Sequence, residues 1–312
     1  MTETKSRRSF LDSSLSLTTA AILTPSFTLA QASSCDSVRL PGAQLFTVRN
    51  TLENDPAETL ARLSEIGVRE VEVYGLTSND SLFGLPMEAL KVLLDKNGLV
   101  ASCAHMDATE QDTAGIARNA NILGVETIIL PIGPDFLQFT EAGLRIQGPQ
   151  TLGELEQFAE MMNRLGKAFT EHELDFAYHN HHVEFLDVQG QIPFDFIMAY
   201  TDPILVKLEM DVGWMALANA NYLDYLDSYG SRVVSVHLKD FNGNRPADMG
   251  DFFDAASNLV SPGAGVMDFG GVLDRLDALD ISHGFVEIDS APEPFSAIES
   301  GLNYLKSIHS CP

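Results

Sequence analysis

The sequence predicts a (β/α)8 barrel, known as the TIM barrel, and three observations support this prediction. Short apolar runs alternate with longer segments of helical periodicity along the chain. Eight such runs occur, which is the number of parallel strands that closes this barrel. Metal-capable side chains collect at the carboxyl ends of several runs, where the fold carries its active site. No G-x-G-x-x-G follows an early strand, so a dinucleotide-binding fold has little support.

Residues 1–32 have the pattern of an export signal peptide. Arg7 and Arg8 precede an apolar run of about fifteen residues, and Ala30 and Ala32 are spaced as a cleavage signal. The string SRRSFL resembles the twin-arginine signal, whose route exports folded proteins; an ordinary export signal with two arginines is the alternative. We therefore expect residues 33–312 to form a single barrel domain in the periplasm or outside the cell, with no membrane insertion once the signal is removed.

The predicted strands and helices alternate along the remaining chain. The strands are 43–48, 70–74, 99–104, 126–130, 174–179, 205–210, 233–238 and 284–288. The helical segments between them include PAETLARLSEIGV, MEALKVLLDKNG, IARNANILG, TLGELEQFAEMMNRLGKAFTEHE and LDYLDSYGS. Several of the helical segments contain a glycine at or near their end, as helices commonly do. Successive βα units of this size favour a closed barrel over an open doubly wound sheet.

The charge of the chain argues against several classes of partner. Its 44 acidic and 19 basic residues give a net charge of −25, and the predicted signal peptide carries one net positive charge, which leaves −26 on the rest. Such a field repels nucleic acid and anionic membranes. It also argues against a phosphorylated substrate and against an abasic-site nuclease, which needs a basic groove. A small-molecule sugar or glycoside is the expected substrate.

Three cysteines are too few for a disulfide scaffold. Cys35 and Cys311 lie near the two ends of the predicted domain, which a closed barrel brings together. An oxidising compartment would allow them to form a disulfide, and the sequence leaves this pairing open. It also leaves a homo-oligomer open.

The end of the fifth predicted strand is the most unusual part of the sequence. The segment AYHNHHVEF, at 177–185, holds three of the eight histidines of the chain. Buried imidazoles must be hydrogen-bonded or ligated, so this crowding predicts a metal site, a substrate pocket or a surface cluster. Comparable polar residues at other strand ends are Glu72, His105, Asp107, Asp211, His237, Lys239, Asp240, Glu287 and Asp289.

Residues at the ends of the last four strands form a candidate metal site. Asp211, His237 and Glu287 lie on consecutive strands, so a closed barrel points them at one place. A strand-five histidine would complete the set, and we favour His179, with His181 and Glu184 as rivals. Oxygen and nitrogen ligands suit one Mn²⁺, Co²⁺, Mg²⁺ or Zn²⁺ ion. An ion with four protein ligands can also bind substrate only if it accepts five or six ligands in all. We therefore expect Mn²⁺, Co²⁺ or Mg²⁺ rather than Zn²⁺.

Several motifs resemble, in order along the chain, the sugar phosphate isomerase/epimerase family with the xylose-isomerase-like barrel. They are LFTVRNTLENDPAETLARLSEIGVREVEVYG, YHNHHVEF, MDVGW, VHLKD, PGAGVMDF and FVEID. The resemblance implies a divalent metal that acts on a keto or hydroxy sugar, with Asp211, His237 and Glu287 at the positions of the family's ligands. Many relatives end strand five with Glu-Asn, whereas this chain has His179-Asn180. One of two opposed carboxylates is therefore replaced.

These observations predict a metal-dependent isomerase or epimerase that acts through a metal-stabilised enediolate. Glu287 or Glu184 is the candidate base. Lys239 is placed to hold the developing oxyanion, or alternatively to form a salt bridge with Asp240. The candidates for substrate contact, each of which has a structural alternative, are His105, His181, Trp214, Glu72 and Arg49.

Two other functions remain open at this stage. The same enolate can lose a leaving group, which would make the protein a keto-sugar lyase or dehydratase that cleaves a 3-keto-glycoside or dehydrates a keto-inositol. A sugar-binding barrel without catalysis is the alternative from a different class. Retention of three ligand-type residues argues against the binding protein, because sugar binding alone has no need of them.

Overall fold

The structure, a computed structural model, describes residues 41–141 and 143–309 and contains a closed barrel of eight parallel strands. Each strand pairs with its neighbour in the chain, and the last pairs with the first. The strands are β1 (Gly42–Gln44), β2 (Glu70–Leu76), β3 (Val100–Met106), β4 (Thr127–Leu130), β5 (Asp175–His179), β6 (Lys207–Asp211), β7 (Val233–Leu238) and β8 (His283–Val286). The predicted (β/α)8 barrel is confirmed.

Helices follow the strands and cover the outside of the barrel. They are α1 (Arg49–Asn54), α2 (Pro56–Glu65), α3 (Met87–Lys96), α4 (Thr113–Leu123), α5 (Leu152–Thr170), α6 (Pro193–Tyr200), α7 (Val212–Leu217), α8 (Tyr222–Tyr229), α9 (Phe252–Ala256), α10 (Phe269–Ala278) and α11 (Pro294–Ile308). Their ends follow local chemistry: Asp112 caps α4 by accepting from the backbone N–H of Gly115, and Gly124 ends it at φ 81°. Among the helices described, none has the length and apolar character needed to cross a membrane.

The predicted strand over 43–48 is wrong in its second half. The chain leaves the sheet after Gln44, and residues Leu45–Val48 form a 3₁₀ helix. The Gln44 side chain accepts a hydrogen bond from the backbone N–H of Phe46, which turns the chain out of the extended conformation. Periodicity also did not indicate three short antiparallel strand pairs in the loops after β2, β4 and β7. The paired segments are Ser81–Leu82 with Leu85–Pro86, Leu137–Thr140 with Gly143–Ile146, and Asp240–Phe241 with Leu259–Val260.

The barrel interior holds a small apolar layer, which we call the apolar plug. It consists of Cys103, Ile129, Ala177 and Phe285, all at most 1% exposed. A Cβ added at Gly42 would lie 2.9 Å from the Phe285 ring and 2.6 Å from a backbone oxygen, so glycine is required where β1 passes the plug. Side chains of opposite parity face outward and form the larger core with the helices. The signal peptide and the Cys35–Cys311 pair lie outside the described residues and stay predictions.

Candidate metal centre and cavity

A layer of charged and polar side chains lies directly above the apolar plug, and we call it the polar layer. Its members, all buried, are Glu72, His105, His179, Glu209 and His237. Glu209 is the centre of the layer. Its Oε2 lies 2.6 Å from Nε2 of His105, 3.0 Å from Nδ1 of His179 and 3.1 Å from Nε2 of His237. One carboxylate oxygen therefore faces three imidazole rings.

Glu72 is the second carboxylate of the polar layer. Gln44 donates from Nε2 to Glu72 Oε2 at 2.6 Å, and His237 Nε2 lies 2.5 Å from the same oxygen. Burial, followed by the charge of Glu209, raises the pKa of Glu72 to about 7. Burial acts in the same direction on Glu209, but the charges of His237 and His105 outweigh it and hold the pKa of Glu209 well below its usual range. The charge of this pair is thus concentrated on Glu209.

The three ligand candidates from the last strands converge immediately above this layer. One ligand atom from each of Asp211, His237 and Glu287 lies within 4.8 Å of the others. His237 Nδ1 is 2.8 Å from Glu287 Oε2 and 3.6 Å from Asp211 Oδ2, while its Nε2 faces the polar layer. His179 presents Nε2 to Asp211 Oδ2 at 3.6 Å. We call these four residues the upper ligand set.

Lys239 is buried between three carboxylates of the same region. Its Nζ lies 2.8 Å from Asp211 Oδ2 and 2.8 Å from Asp289 Oδ2, and it also contacts Glu287 Oε2. Burial lowers the pKa of Lys239, but the three carboxylates outweigh burial and raise it well above its usual range. The structure does not show the alternative salt bridge to Asp240, because that carboxylate accepts from backbone N–H groups after the seventh strand, including those of residues 263, 265 and 267.

The upper ligand set fits a divalent cation. Asp211 Oδ2 is buried and receives no hydrogen bond in satisfactory geometry, although the Lys239 ammonium lies close to it. The Lys239 ammonium at 2.8 Å and the His179 and His237 imidazoles at 3.6 Å together make this oxygen an anionic position in the centre of the set. The set offers carboxylate oxygens and imidazole nitrogens without a thiolate, as borderline and hard divalent ions prefer. Below the set, Glu209 accepts from Nδ1 of His179 and Glu72 accepts from Nε2 of His237, which is how carboxylates orient ligand histidines.

A cavity of about 470 Å³ opens above the ligand set. The predicted residues that line it are His105, His179, His181 and Glu287, and Asp289 joins them. The Nδ1 atom of His181 is buried without a hydrogen-bond partner, and burial holds the pKa of His181 well below its usual range. A second cavity, about 520 Å³, lies beside Phe136, Phe158 and Arg164 and contains none of the predicted site residues.

Three of the predicted substrate contacts do not line this cavity. Trp214 is fully buried behind it, with its ring 5.2 Å from that of His181 and 5.1 Å from that of His182. Arg49 is half-buried; its guanidinium lies 4.2 Å from the centre of the Phe46 ring and donates to the Phe46 carbonyl. Phe46 lines the cavity, whereas Trp214 and Arg49 support side chains that do. Glu72 lies below the cavity, in the polar layer.

Glu184, a predicted base, also faces away from the cavity. It is fully buried and accepts from the hydroxyl of Tyr178 and, at 3.0 Å, from the backbone N–H of His181. Burial raises the pKa of Glu184 to about 7. Both of its oxygens are therefore engaged in holding the loop that carries His181.

Sequence reasoning missed Glu209 and Gln44. Glu209 lies two positions before Asp211 on β6, so strand alternation placed it on the same inward face. That alternation was the available signal for Glu209. Gln44 had no comparable signal, because no residue of metal-ligand type follows it on its short strand.

The sequence is similar to a known protein family and to several known enzymes. Residues 60–308 match the profile of the family described as xylose isomerase-like TIM barrel. Inosose dehydratase of Lactiplantibacillus plantarum is 29% identical over 46% of this chain and 49% of that enzyme, so the chain spans about half the length of this relative. Inosose dehydratase of Halalkalibacterium halodurans is 28% identical over 77% of this chain and 74% of that enzyme.

Solved structures show the same architecture at lower sequence identity. A sugar phosphate isomerase/epimerase from Parabacteroides distasonis superposes with a TM-score of 0.68 at 21% identity, over 86% of this chain and 93% of that one. The 3-keto-D-glucoside 4-epimerase of E. coli gives 0.60 at 16% identity, over 86% and 99%. At these sequence identities, both similarities show a shared fold and nothing more.

Proposed function

Because the chain belongs to the xylose isomerase-like TIM-barrel family, we propose that it is a divalent-metal-dependent enzyme that isomerises or epimerises a keto or hydroxy sugar. The convergence of Asp211, His237 and Glu287 is the observation that carries the proposal, and Glu287 and the neighbouring His179 also line the cavity. His179 is the proposed fourth ligand, because its Nε2 faces Asp211. Mn²⁺, Co²⁺ or Mg²⁺ is proposed over Zn²⁺, since substrate needs a further coordination position.

When bound, the cation supplies a Lewis acid that polarises a carbonyl oxygen and makes the neighbouring C–H bond more acidic. Three carboxylates, Asp107, Glu287 and Asp289, line the cavity. Since Glu287 belongs to the ligand set, and Asp107 is exposed and accepts from Thr109, Asp289 is the carboxylate that we propose accepts the proton. Lys239 orients Glu287 and Asp289 through its contacts with their Oε2 and Oδ2 atoms. Glu184 acts through His181, whose backbone it holds.

A keto-sugar lyase or dehydratase is the second candidate. Epimerisation with two opposed carboxylates removes a proton from one face of a sugar carbon and returns a proton to the other face, and His179 stands at the position of one of these carboxylates. In addition, two relatives are inosose dehydratases. Elimination needs one base and one acid. Asp289 would serve as both: it would take the α-proton, the carbon–oxygen bond at the β-position would break, and the protonated carboxyl would return that proton to the leaving oxygen as water or alcohol.

Proton exchange in heavy water tests both candidates. The Mn²⁺-loaded protein is incubated in D₂O with keto sugars, keto-inositols and 3-keto-glucosides, and the products are followed by NMR and mass spectrometry. Deuterium at the carbon next to the carbonyl supports the proposal; an epimer or an isomer then identifies the first candidate, and loss of water or alcohol identifies the second. Tight metal binding without exchange in any of these compounds would contradict both and favour a binding protein.

We also propose that the protein is exported by the twin-arginine route, on the strength of the string SRRSFL and the apolar run after it. Replacing both Arg7 and Arg8 with lysine keeps the charge but removes the arginine pair. Cell fractionation should then show the protein retained in the cytoplasm. Continued export of the double variant would indicate an ordinary signal peptide.

A further inference from the structure

The cavity above the ligand set has two chemically different sides. Its floor is polar and carries the imidazoles and carboxylates already described. The outer wall is apolar and is formed largely by Phe46, Tyr74, Ile132, Leu137, Phe139 and Phe252. A ligand that fills the whole space must therefore present polar groups at one end and apolar surface at the other.

The outer wall is held in a fixed arrangement. Phe46 and Tyr74 pack edge to face with ring centres 5.4 Å apart and planes at 85°, which is a favourable aromatic geometry. Arg49 covers Phe46, and Phe83 packs behind Tyr74 at 5.0 Å. The wall is thus preorganised, and preorganised apolar surface raises affinity for a ligand that matches it.

One side chain of the wall lies almost entirely in water. Phe139 is 90% exposed and sits on the hairpin of Leu137–Thr140 with Gly143–Ile146, which follows β4. Leu137 on the same strand is half-buried and also lines the cavity. An exposed phenyl ring at the mouth of a cavity contributes favourably to binding when a ligand removes its apolar surface from water.

Two polar atoms at the cavity lack partners in the protein. The hydroxyl oxygen of Tyr74 and Nδ1 of His181 are both inaccessible and without a hydrogen bond. Both residues line the cavity. Buried polar atoms are usually paired, so each of these two is hydrogen-bonding capacity that the protein leaves unused beside the cavity, one at the wall and one at the floor.

The size and lining of the cavity disfavour a free monosaccharide as the full occupant. A volume of about 470 Å³ falls within the roughly 300–1,000 Å³ typical of sites for drug-sized ligands. A free sugar carries hydroxyls on all sides, and those facing the outer wall would lose water without gaining a partner. A sugar that carries an apolar group satisfies both sides of the cavity.

We infer that the substrate is a glycoside with an apolar, ring-containing aglycone. Its keto-sugar ring lies over the upper ligand set, and its aglycone lies against Phe46, Tyr74, Leu137 and Phe139. The sugar half of this inference rests on the proposed function. The apolar half rests on the outer wall and holds whether the reaction epimerises the sugar or eliminates the aglycone.

Binding of unreactive glucosides tests the inference without turnover. The Mn²⁺-loaded protein is titrated by calorimetry with methyl β-glucoside and with phenyl β-glucoside, which differ only in the aglycone. We expect the phenyl compound to bind about tenfold more tightly. Phe139→Ser should reduce that ratio to about threefold or less, because the exposed ring would no longer cover the aglycone. Ile204→Ser is the matched control, since Ile204 is 77% exposed and does not line the cavity.

Each result decides the matter. A higher affinity for the phenyl compound that depends on Phe139 supports the inference, even if no keto sugar exchanges deuterium and the proposed function fails. Equal affinities, or no binding of either glucoside, overturn it, even if exchange is observed with small keto sugars. An unchanged affinity ratio in Phe139→Ser also overturns it. If this variant forms a smaller oligomer in light scattering, a second copy of the chain covers the side chain instead.

Discussion

The apolar plug and the polar layer lie next to each other inside the barrel, yet they have opposite chemistry. On β3 and β5 the change occurs within two residues, from Cys103 to His105 and from Ala177 to His179. Two residues of strand span about 6.6 Å. Because strand alternation points both members of each pair inward, the same backbone supplies a packed base and a charged site directly above it.

The difference indicates what each layer contributes. The plug removes apolar surface from water and adds to stability. The polar layer buries two carboxylates among three imidazoles. The free-energy cost of desolvating such groups often exceeds the gain from the attraction between them. Its retention is therefore explained by a role in orienting the ligands above it, while the plug keeps the surrounding strands in place. Changes to Phe285 in the plug and to Glu209 in the polar layer test this division directly.

The largest effect is expected from the upper ligand set. Asp211→Asn keeps an oxygen to accept from the backbone N–H of Trp214, a contact at 2.9 Å, but removes the anionic ligand. We expect loss of bound metal on dialysis and a decrease in deuterium exchange of about 10³-fold or more. Metal analysis and NMR measure the two quantities. Asp274→Asn, at an exposed position on α10, should match the parent, and retention of metal by the Asp211→Asn variant would contradict the assignment.

The next largest effect concerns the plug. Phe285→Ala removes its largest side chain, and deletions of this kind lower the free energy of unfolding by about 3–5 kcal/mol. Urea denaturation of the metal-free protein gives the value. Phe139→Ala, at an exposed position, should change stability by less than about 0.5 kcal/mol. Similar stabilities of the two variants would show that the plug does not support the barrel.

A smaller effect is expected from Glu209, and it distinguishes the two layers. Glu209→Gln keeps the shape of the side chain but removes the charge that three histidines face. We expect metal affinity to fall by about 10–100-fold, as for other groups that orient ligand histidines, with a smaller loss of stability than in Phe285→Ala. Competition with a chelator measures the affinity. Ser235→Ala, which removes only one hydrogen bond to Glu209, should change affinity much less; equal effects would assign Glu209 to packing.

The smallest effect concerns a buried histidine outside both layers. His182 stacks on Trp214 and donates from Nε2 to the carbonyl of Met249 at 2.6 Å, and burial lowers the pKa of His182 to about 4. The folded protein therefore needs the neutral ring, and this contribution is complete above about pH 6.5 and is lost as pH falls toward 4. At about pH 5.5 the loss is about 1 kcal/mol.

Urea denaturation of the parent and His182→Gln at about pH 8 and about pH 5.5 isolates this contribution. The parent should lose more stability than the variant between the two pH values, because glutamine does not titrate. His181 is the neighbouring ring that also titrates, and it is present in both proteins. Equal losses would show that His182 accepts a proton without penalty and that its burial is incomplete in solution.

The sequence was informative wherever strand alternation determined direction. The barrel followed from the strand count, and Asp211, His237 and Glu287 were placed together because carboxyl ends of parallel strands meet at one face. The same rule applies to Glu209, which lies two positions before the end of its strand and so lacks the signal that a strand end provides. Burial of charged residues one layer below the mouth has no counterpart in composition or periodicity.

Side chains outside the strands were less predictable. Asp211 ends β6 and at once caps α7, so the chain turns and carries Trp214 behind His181 instead of into the cavity. Glu184 lies in a 3₁₀ turn whose direction is determined by its bonds to Tyr178 and to the backbone of His181. These orientations depend on contacts between segments that a local pattern does not contain.

The position of Lys239 has a practical consequence for anyone who prepares this protein. Its ammonium group provides an internal counter-ion for three carboxylates, and Gly213 leaves the space that its side chain needs, since an added Cβ there would overlap Lys239 Cγ. A sample made in metal-poor medium should consequently fold without the ion, although a loaded sample should melt at a higher temperature because the ion binds the folded chain. Batches are therefore best compared by the number of metal atoms per polypeptide, because a folded sample is not necessarily a loaded one.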